Sequence, residues 1–403
     1  MVHFNVMTDM SAEPWEALAK DRQHCPVERV DVGGFVYHQV SEPHLIRQLL
    51  RRHDVFSNEM GVLPRGPEPV GERVLEFADP PAHRTHRQLV AKAFSKAQMN
   101  ERVTHIQAVA DDLVDAIAAQ GNTFELRRQF GRPLPSTIVA EILGVPVQDR
   151  DLFMDLTERV EALLAEEQAS QETTQVMQQF IDYVYEQFRI RETVPTDDLL
   201  SSILYAEVDG KRFTRLEAAA MVRLLLGAGN GTTSIAISNT VWLIETNPAE
   251  KAKLLADLDG LVESTIEEGL RFDCPVGGNF RGVTQSTELG GVSLKAGDRV
   301  FANYLAANHD PDRYDDPDSF KVDRAWGELP PHFAFGHGIH YCIGAPLARA
   351  ETAIGLKTLY RRLPRLRLAD GFTPERVPGA MFRTWTAVQM QFDGPVGPRL
   401  SDG

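Results

Sequence analysis

Cys342 lies in the run Phe335-Gly336-His337-Gly338-Ile339-His340-Tyr341-Cys342-Ile343-Gly344. A helix-forming stretch, Ala345-Pro346-Leu347-Ala348-Arg349-Ala350-Glu351, follows at once. A thiolate at a helix N-terminus is stabilised by the helix dipole and by free backbone N–H groups. Glycines let such a loop approach a flat partner closely and take backbone angles that other residues avoid. Together these features suit an axial thiolate ligand to haem iron. Three other readings compete. A buried structural cysteine needs no glycine loop. A zinc site could draw on His337, His340 and Cys342, but it needs a fourth ligand, and zinc ligands usually come in spaced pairs. The sequence holds no second Cys-rich or His-rich cluster. A dinucleotide-binding loop would need a third glycine beyond Gly336 and Gly338, and a strand before it.

The chain around this loop has 403 residues, 43% of them hydrophobic and 25% charged, enough for a large core. Nothing reads as a flexible linker, a repeat or a low-complexity tract, so a single domain over 1–403 is expected. Its β-rich part covers about 26–60, and the remainder is helix-rich. The first twenty residues carry Asp9, Glu13 and Glu16 and no apolar run, so neither a signal peptide nor a membrane anchor is expected. The apolar stretch Ala218–Ile244 is interrupted by glycines, an asparagine and threonines, which argues against a membrane span. Cys25, Cys274 and Cys342 are too few for a disulfide framework and fit a reducing cytoplasm. A net charge of −15 argues against a nucleic-acid partner.

The elements that must position the cysteine are mostly helical. Residues 26–32 and 35–40 alternate around Gly33-Gly34, which predicts a hairpin. A helix is expected over 42–53 and an irregular loop over 58–78. Helical periodicity then covers roughly 81–93, 97–120, 135–144, 148–168, 170–190, 214–246, 248–256 and 260–272. Strand-like pieces return at 287–294, 299–303 and 388–392. Residues 330–340 form a long non-helical approach to the cysteine.

The chain is similar here to the cytochrome P450 family, and to its soluble bacterial members. The cysteine segment matches that family's F-G-x-G-x-H-x-C-x-G pattern, and four further segments match in order between about Asp79 and Glu351. The resemblance implies a mainly α fold with small β-sheets, a triangular helical prism that holds haem b between a distal and a proximal helix. Cys342 would be the iron ligand, and an anionic sulfur donates electron density that favours O–O cleavage. Phe335, Gly336 and Gly344 would shape the loop, with Phe335 beside the sulfur. His340 would face a haem propionate. His83 and Arg87, in Asp79-Pro80-Pro81-Ala82-His83-Arg84-Thr85-His86-Arg87, and Arg281 would meet the propionates too. Glu268 and Arg271 form the family's E-x-x-R pair. At spacing i, i+3 they share a helix face, and the resemblance implies a buried structural brace.

The distal helix of the family reads Ala-Gly-x-acid-Thr-Thr. Here it is Gly227-Ala228-Gly229-Asn230-Gly231-Thr232-Thr233. Ala228 and its glycine neighbours would make room for haem and O2, and a local kink is expected there. Thr232 takes the family's oxygen-side position. Gly231 replaces the acid, so protons would travel through water, Asn230, Thr232 or the substrate. Thr233 completes the motif. The substrate side would be lined by Met60, Val62 and Leu63; by Leu163 and Leu164; by Leu225 and Leu226; by Val276, Gly277, Gly278 and Asn279; and by Met381, Phe382 and Trp385. A mainly apolar lining of this kind suits a small molecule.

The resemblance implies an O2-dependent monooxygenase acting on a small, apolar organic substrate, a secondary metabolite or a lipid-like molecule, fed by a separate ferredoxin and ferredoxin reductase. Arg84, Arg87, Lys92 and Lys96 would steer the acidic ferredoxin. Gly231 also admits an oxidative coupling or cyclising enzyme, or peroxide-driven turnover. A non-enzymatic haem carrier or sensor belongs to a third class. Thr232 and the small-residue distal helix argue against it.

Overall fold

The expected N-terminal hairpin forms, and it recruits strands from far along the chain. The computed structural model describes residues 14–24, 26–64, 72–94, 96–150, 152, 155–156, 159, 171–377 and 381–401. The order begins α1 (Trp15–His24), β1 (Val27–Val32), β2 (Phe35–Val40), α2 (Pro43–Arg51) and β3 (Phe56–Ser57). Then come α3 (Ala82–Ala91), α4 (Lys96–Gln120), β4 (Thr123–Glu125) and α5 (Pro133–Leu143). The middle of the chain holds α6 (Gln171–Thr193), α7 (Leu199–Tyr205), α8 (Arg215–Thr246), α9 (Pro248–Ala256) and α10 (Leu258–Phe272). After these follow β5 (Gly278–Val283), β6 (Thr287–Leu289), β7 (Val292–Leu294), β8 (Arg299–Asn303), α11 (Tyr304–Asn308), α12 (Ala345–Arg362), β9 (Arg367–Leu368) and β10 (Gln389–Gln391). The expected helix over 148–168 falls largely outside the described residues.

The principal sheet has the order β1-β2-β8-β5-β3, with β2 parallel to β8 and the other pairs antiparallel. β4, β10 and β9 make a second small sheet. The segment expected to be one strand over 287–294 is instead the hairpin β6–β7. Gly290 and Gly291, both at positive φ, turn the chain there. β5 has no alternation and two glycines, so its sequence does not read as a strand. It forms because β8 lies against it: a Cβ at Gly278 would lie 2.3 Å from the Ala302 carbonyl oxygen.

α8 is the long axis of the helical part. It has 32 residues and starts at a capping box, in which Thr214 and Glu217 satisfy each other's backbone N–H groups. A helix that is apolar nearly all round must be buried, and residues 218–226 and 233–241 of α8 are. The centre differs: Ala228 is exposed and Gly227, Gly229, Gly231 and Thr232 are partly exposed. The expected kink leaves no break in the helix, which runs as α through 227–233. α5, α10 and α12 pack around α8. Among the described residues no helix is long and apolar enough to cross a membrane.

Candidate functional site: a cysteine loop and a small-residue helix

The cysteine loop is held by its own backbone and by α2. The Cys342 N–H donates to the Phe335 carbonyl at 2.9 Å, and the Gly336 N–H donates to Phe333 at 2.7 Å. Gly336 and Gly338 have φ of +70° and +76°. A Cβ at Gly338 would lie 2.6 Å from the Leu50 carbonyl oxygen, so no side chain fits between this loop and α2. Beyond Gly344, Pro346 occupies the first turn of α12, where a missing N–H costs nothing.

Burial pushes the Cys342 thiol up from its usual value. The backbone N–H groups of Gly344 and Ala345, and the Arg87 guanidinium, pull the other way without winning. The side chain is nevertheless accessible. Both facts hold if its open surface is the wall of an enclosed hollow. An electropositive partner in that hollow would stabilise the thiolate that burial disfavours.

His83, His340, Arg87 and Arg281 converge beside the cysteine. The His83 and His340 rings lie 4.3 Å apart, and the Nε2 of each is buried without a hydrogen-bond partner. Burial first, and then the neighbouring cations, pull His83 down to about 4 and His340 to about 2. Arg87 and Arg281 form no ion pair with a carboxylate among the described residues. Two arginines without an ion pair and two imidazoles with orphaned nitrogens are suited to an external anion. Two carboxylates entering here would satisfy both orphaned nitrogens and offset the crowding of positive charge. The residues therefore fit a haem carrying two propionates. Replacing His83 with Phe, or Arg281 with Leu, is expected to speed haem loss to an apomyoglobin scavenger several-fold. Unchanged loss rates for both would remove these residues from the cradle.

The sequence did not flag Arg299. Its guanidinium donates to the carbonyl oxygens of Met60, of Gly61 at 2.8 Å and of Leu63 at 2.6 Å. Burial, and then Arg281, pull it down to about 10. Another unforeseen contact stands on the proximal side. Arg349 pairs bidentately with Glu267, and its guanidinium lies 4.4 Å from the centre of the Phe335 ring.

In the centre of α8, a Cβ on Gly227 or Gly231 would meet nothing within 4 Å, whereas one on Gly229 would press on Val139 at 3.0 Å. The first two glycines face open space; the third is needed for packing on α5. Thr232 is about 40° from Ala228 around the helix, at about 100° per residue. Its hydroxyl donates to the Ala228 carbonyl at 2.7 Å, which leaves its oxygen as an acceptor. Asn230 and Thr233 are different. Both are 3% exposed, and at about 100° per residue they lie roughly 140–160° from Ala228. The structure turns both away from the window, so neither touches the oxygen side. Leu225 and Leu226 are buried in the core, Leu226 on the same far face as Asn230.

Several of the expected pocket segments do meet. Gly277 donates to the Met381 carbonyl at 2.9 Å, Val276 bridges to Phe382, and Phe280 donates to the Val62 carbonyl at 3.0 Å. Gly282 packs so closely on Met60 that an added Cβ would lie 2.3 Å from it. Trp385 does not join them. It packs against Trp242, the rings tilted by 50° with centroids 4.8 Å apart, fourteen residues beyond Ala228. At 1.5 Å per residue that is about 21 Å along α8. Leu163 and Leu164 lie outside the described residues. A surface cleft lined by Lys251, Leu255, Tyr360 and Leu366 carries none of these groups.

Glu268 and Arg271 are both fully buried. Arg271 grips the carboxylate twice, at 2.8 and 2.9 Å, and also holds the carbonyls of Asn308 and Pro317 at 2.8 Å. Arg324, absent from the sequence reading, donates to Glu268 as well at 2.9 Å. The cluster pins the loop before the cysteine onto α10.

A cysteine loop on a proximal helix, a small-residue window on a long distal helix and a buried E-x-x-R brace define a haem-thiolate class of fold. The chain matches the family model described as Cytochrome P450 over residues 3–171 and 161–366. It is 36% identical to the cyclomarin C epoxidase CymV of Salinispora arenicola (strain CNS-205) over 321 residues, 78% of this chain and 80% of that protein. It is 33% identical to the cytochrome P450 monooxygenase PikC of Streptomyces venezuelae over 367 residues, 89% of this chain and 86% of that one. The solved structure of cytochrome P450 CYP109Q5 from Chondromyces apiculatus superposes with a TM-score of 0.87 at 29% identity, covering 98% of this chain and 99% of that chain. This chain belongs to the cytochrome P450 family of monooxygenases, and its relatives in secondary metabolism include named hydroxylases and epoxidases.

Proposed function

We propose that this protein inserts one oxygen atom of O2 into a small, mainly apolar organic substrate of secondary metabolism, using haem b ligated by Cys342. The observation that carries the reading is the exposed Cys342 beside Arg87, Arg281 and the orphaned Nε2 atoms of His83 and His340. When bound, the haem supplies the oxygen-activating chemistry, and the thiolate's electron density assists O–O cleavage. Cys342 would hold the iron from the start of α12. His83, Arg87, Arg281 and His340 would hold the propionates. Ala228 and the adjoining glycines would keep the opposite face clear, and the Thr232 oxygen would accept a hydrogen bond from water and hold it in place. Met60, Leu63, Val276, Gly277, Gly278, Met381 and Phe382 would orient the substrate by shape. A separate ferredoxin and its reductase would supply electrons. The reduced, CO-bound spectrum tests this reading: a red-shifted Soret band is expected, and an ordinary haem spectrum would overturn it.

Gly231 favours a second reading in one respect. The open space at its missing side chain could admit a substrate group that donates protons, as in oxidative coupling, or serve peroxide-driven turnover. Water filling that space leaves ordinary monooxygenation intact, and this is the reading we adopt. Installing a carboxylate discriminates between them. Gly231→Glu has room for its side chain and is expected to leave the coupling of reducing equivalents to product unchanged. A several-fold rise in coupling or rate would show that proton supply limits the native enzyme.

A further inference from the structure

The basic residues expected from sequence to face a partner do not form one open surface. Arg84 is exposed, Arg87 is half-buried beside Cys342, and the Lys92 and Lys96 side chains lie outside the described residues. A different cationic opening lies at the far ends of the two longest helices around the site. The cleft at Lys251 has a volume of about 290 Å3, and it forms where α8 ends, α9 begins and the chain leaves α12. Ala345 and Tyr360 are fifteen residues apart on α12. At 1.5 Å per residue that is about 22 Å, so the cleft stands well clear of Cys342.

The cleft has an apolar lining and a fixed cation. Leu363 and Leu366, both buried, line it together with Leu255, which is 48% exposed. The Glu245 side chain is 3% exposed and accepts hydrogen bonds from the Tyr360 hydroxyl at 2.8 Å and from Lys251 Nζ at 2.7 Å. Lys251 Nζ also donates to the Leu366 carbonyl at 2.7 Å and lies 5.9 Å from the centre of the Tyr360 ring. An ammonium carries three donors. Two are used here, and among the described residues the third has no acceptor.

The rim holds two arginines and one acid. Arg365 Nε and Arg367 Nη1 reach the same Asp393 oxygen at 3.1 and 2.7 Å. Asp370 also acts on Arg367 but lines no part of the cleft. Since Glu245 offsets Lys251 and Asp393 offsets one guanidinium, one positive charge is left over at the cleft. Arg365 is 76% exposed, and its terminal nitrogens are open to a ligand. Its φ of +52° lies in the left-handed region, which a long side chain seldom enters. Strain of this kind collects at ligand clamps. The turn after α12 keeps that angle and thereby sets Arg365 on the cleft.

We propose that this cleft binds a small amphiphilic monoanion, a carboxylate on an apolar body. Arg365 and the third N–H of Lys251 take the carboxylate, and Leu255, Leu363, Leu366 and the Tyr360 ring receive the apolar body. A single surplus positive charge matches a single negative one. Small-molecule pockets begin at about 300 Å3, so the occupant is one short chain or ring system. The site is separate from the haem cradle and does not depend on it.

The test uses the haem-loaded protein and a decanoate that carries a photoreactive diazirine in its chain. After illumination and digestion, label is expected on the peptides that contain residues 251–256 and 360–367. Free decanoate should compete this label away, and decylammonium, the same chain with the opposite charge, should not. Arg365→Glu and Leu255→Glu, both at exposed positions, are each expected to lower the labelling about ten-fold, the loss of one charge-assisted or one apolar contact. Entry of decanoate into the haem pocket, read as a shift of the Soret band, should be the same in both variants and the parent. If Arg365→Glu fails to fold by circular dichroism, Arg365→Gln takes its place, with a loss of about three-fold expected. Label found only elsewhere, equal competition by decylammonium, or undiminished labelling in either variant overturns the proposal.

Discussion

Replacing Cys342 with alanine is expected to abolish the red-shifted CO band and all O2-dependent turnover. No other described side chain can take its place at the start of α12. Cys274 is fully buried, its thiol is pushed up to about 12 by burial, and it packs with Leu18, Tyr37, Phe280 and Phe301 in a separate core cluster. His340 is two residues away, but its ring packs at a tilt against His83. Folding should survive the change. The loop is held by backbone hydrogen bonds, by two glycines at positive φ and by Leu50, and none of these uses the sulfur. Far-UV circular dichroism close to that of the parent, with the band lost, is the expected pair of results. A retained band would mean that another atom ligates the iron. Haem still held by the variant would show that the propionate cradle contributes to binding without the axial bond.

Arg271→Met is expected to be the most destabilising single substitution in the chain. It leaves the Glu268 carboxylate fully buried with only Arg324 and the Lys321 N–H as partners, and it frees the carbonyls of Asn308 and Pro317. Breaking a buried ion pair by removing one partner costs about 3–5 kcal/mol. That is a large share of the roughly 5–15 kcal/mol by which folded domains are stable. Arg271→Lys would rescue little, because one ammonium cannot reproduce the two-point grip on the carboxylate. The exposed pair Lys253–Asp323 is the control: solvent screens it, so its loss should shift stability little. Denaturant unfolding of the three variants measures the difference. If Arg271→Met unfolds no more easily than Lys253→Ala, the brace contributes nothing to stability.

The sequence revealed the parts of the site that are local. The cysteine loop and its following helix are contiguous in the chain, so glycine spacing and helix chemistry were enough to read them. The E-x-x-R pair was legible as a pair, but its burial was not: spacing i, i+3 looks the same on a wet surface. Arg324 could not be found at all, since it reaches Glu268 across fifty-six positions. Asn230 and Thr233 were misassigned for a different reason. Adjacency in a motif is not adjacency on a helix, where consecutive residues point about 100° apart. Counting from Ala228 would have placed both on the far face. Trp385 was taken as pocket because the resemblance assigns the C-terminal turn that holds Met381 and Phe382 to the substrate side. The chain turns between them, and Arg376 stacks 3.6 Å from the Trp385 ring in the core. β5 illustrates the limit on the fold. Its residues have weak intrinsic strand character, and its neighbours β8 and β3 supply the pairing.

Arg299 grips the loop at Met60, Gly61 and Leu63 entirely through main-chain oxygens. A carbonyl is the same whatever side chain its residue carries. Mutations at 60 and 63 can therefore change what the loop presents to a substrate without loosening where the loop stands. Variation and anchorage are uncoupled at this one place. An evolving or engineered lineage could explore new substrates there at little risk to the fold, while the chemistry at the cysteine is left as it was.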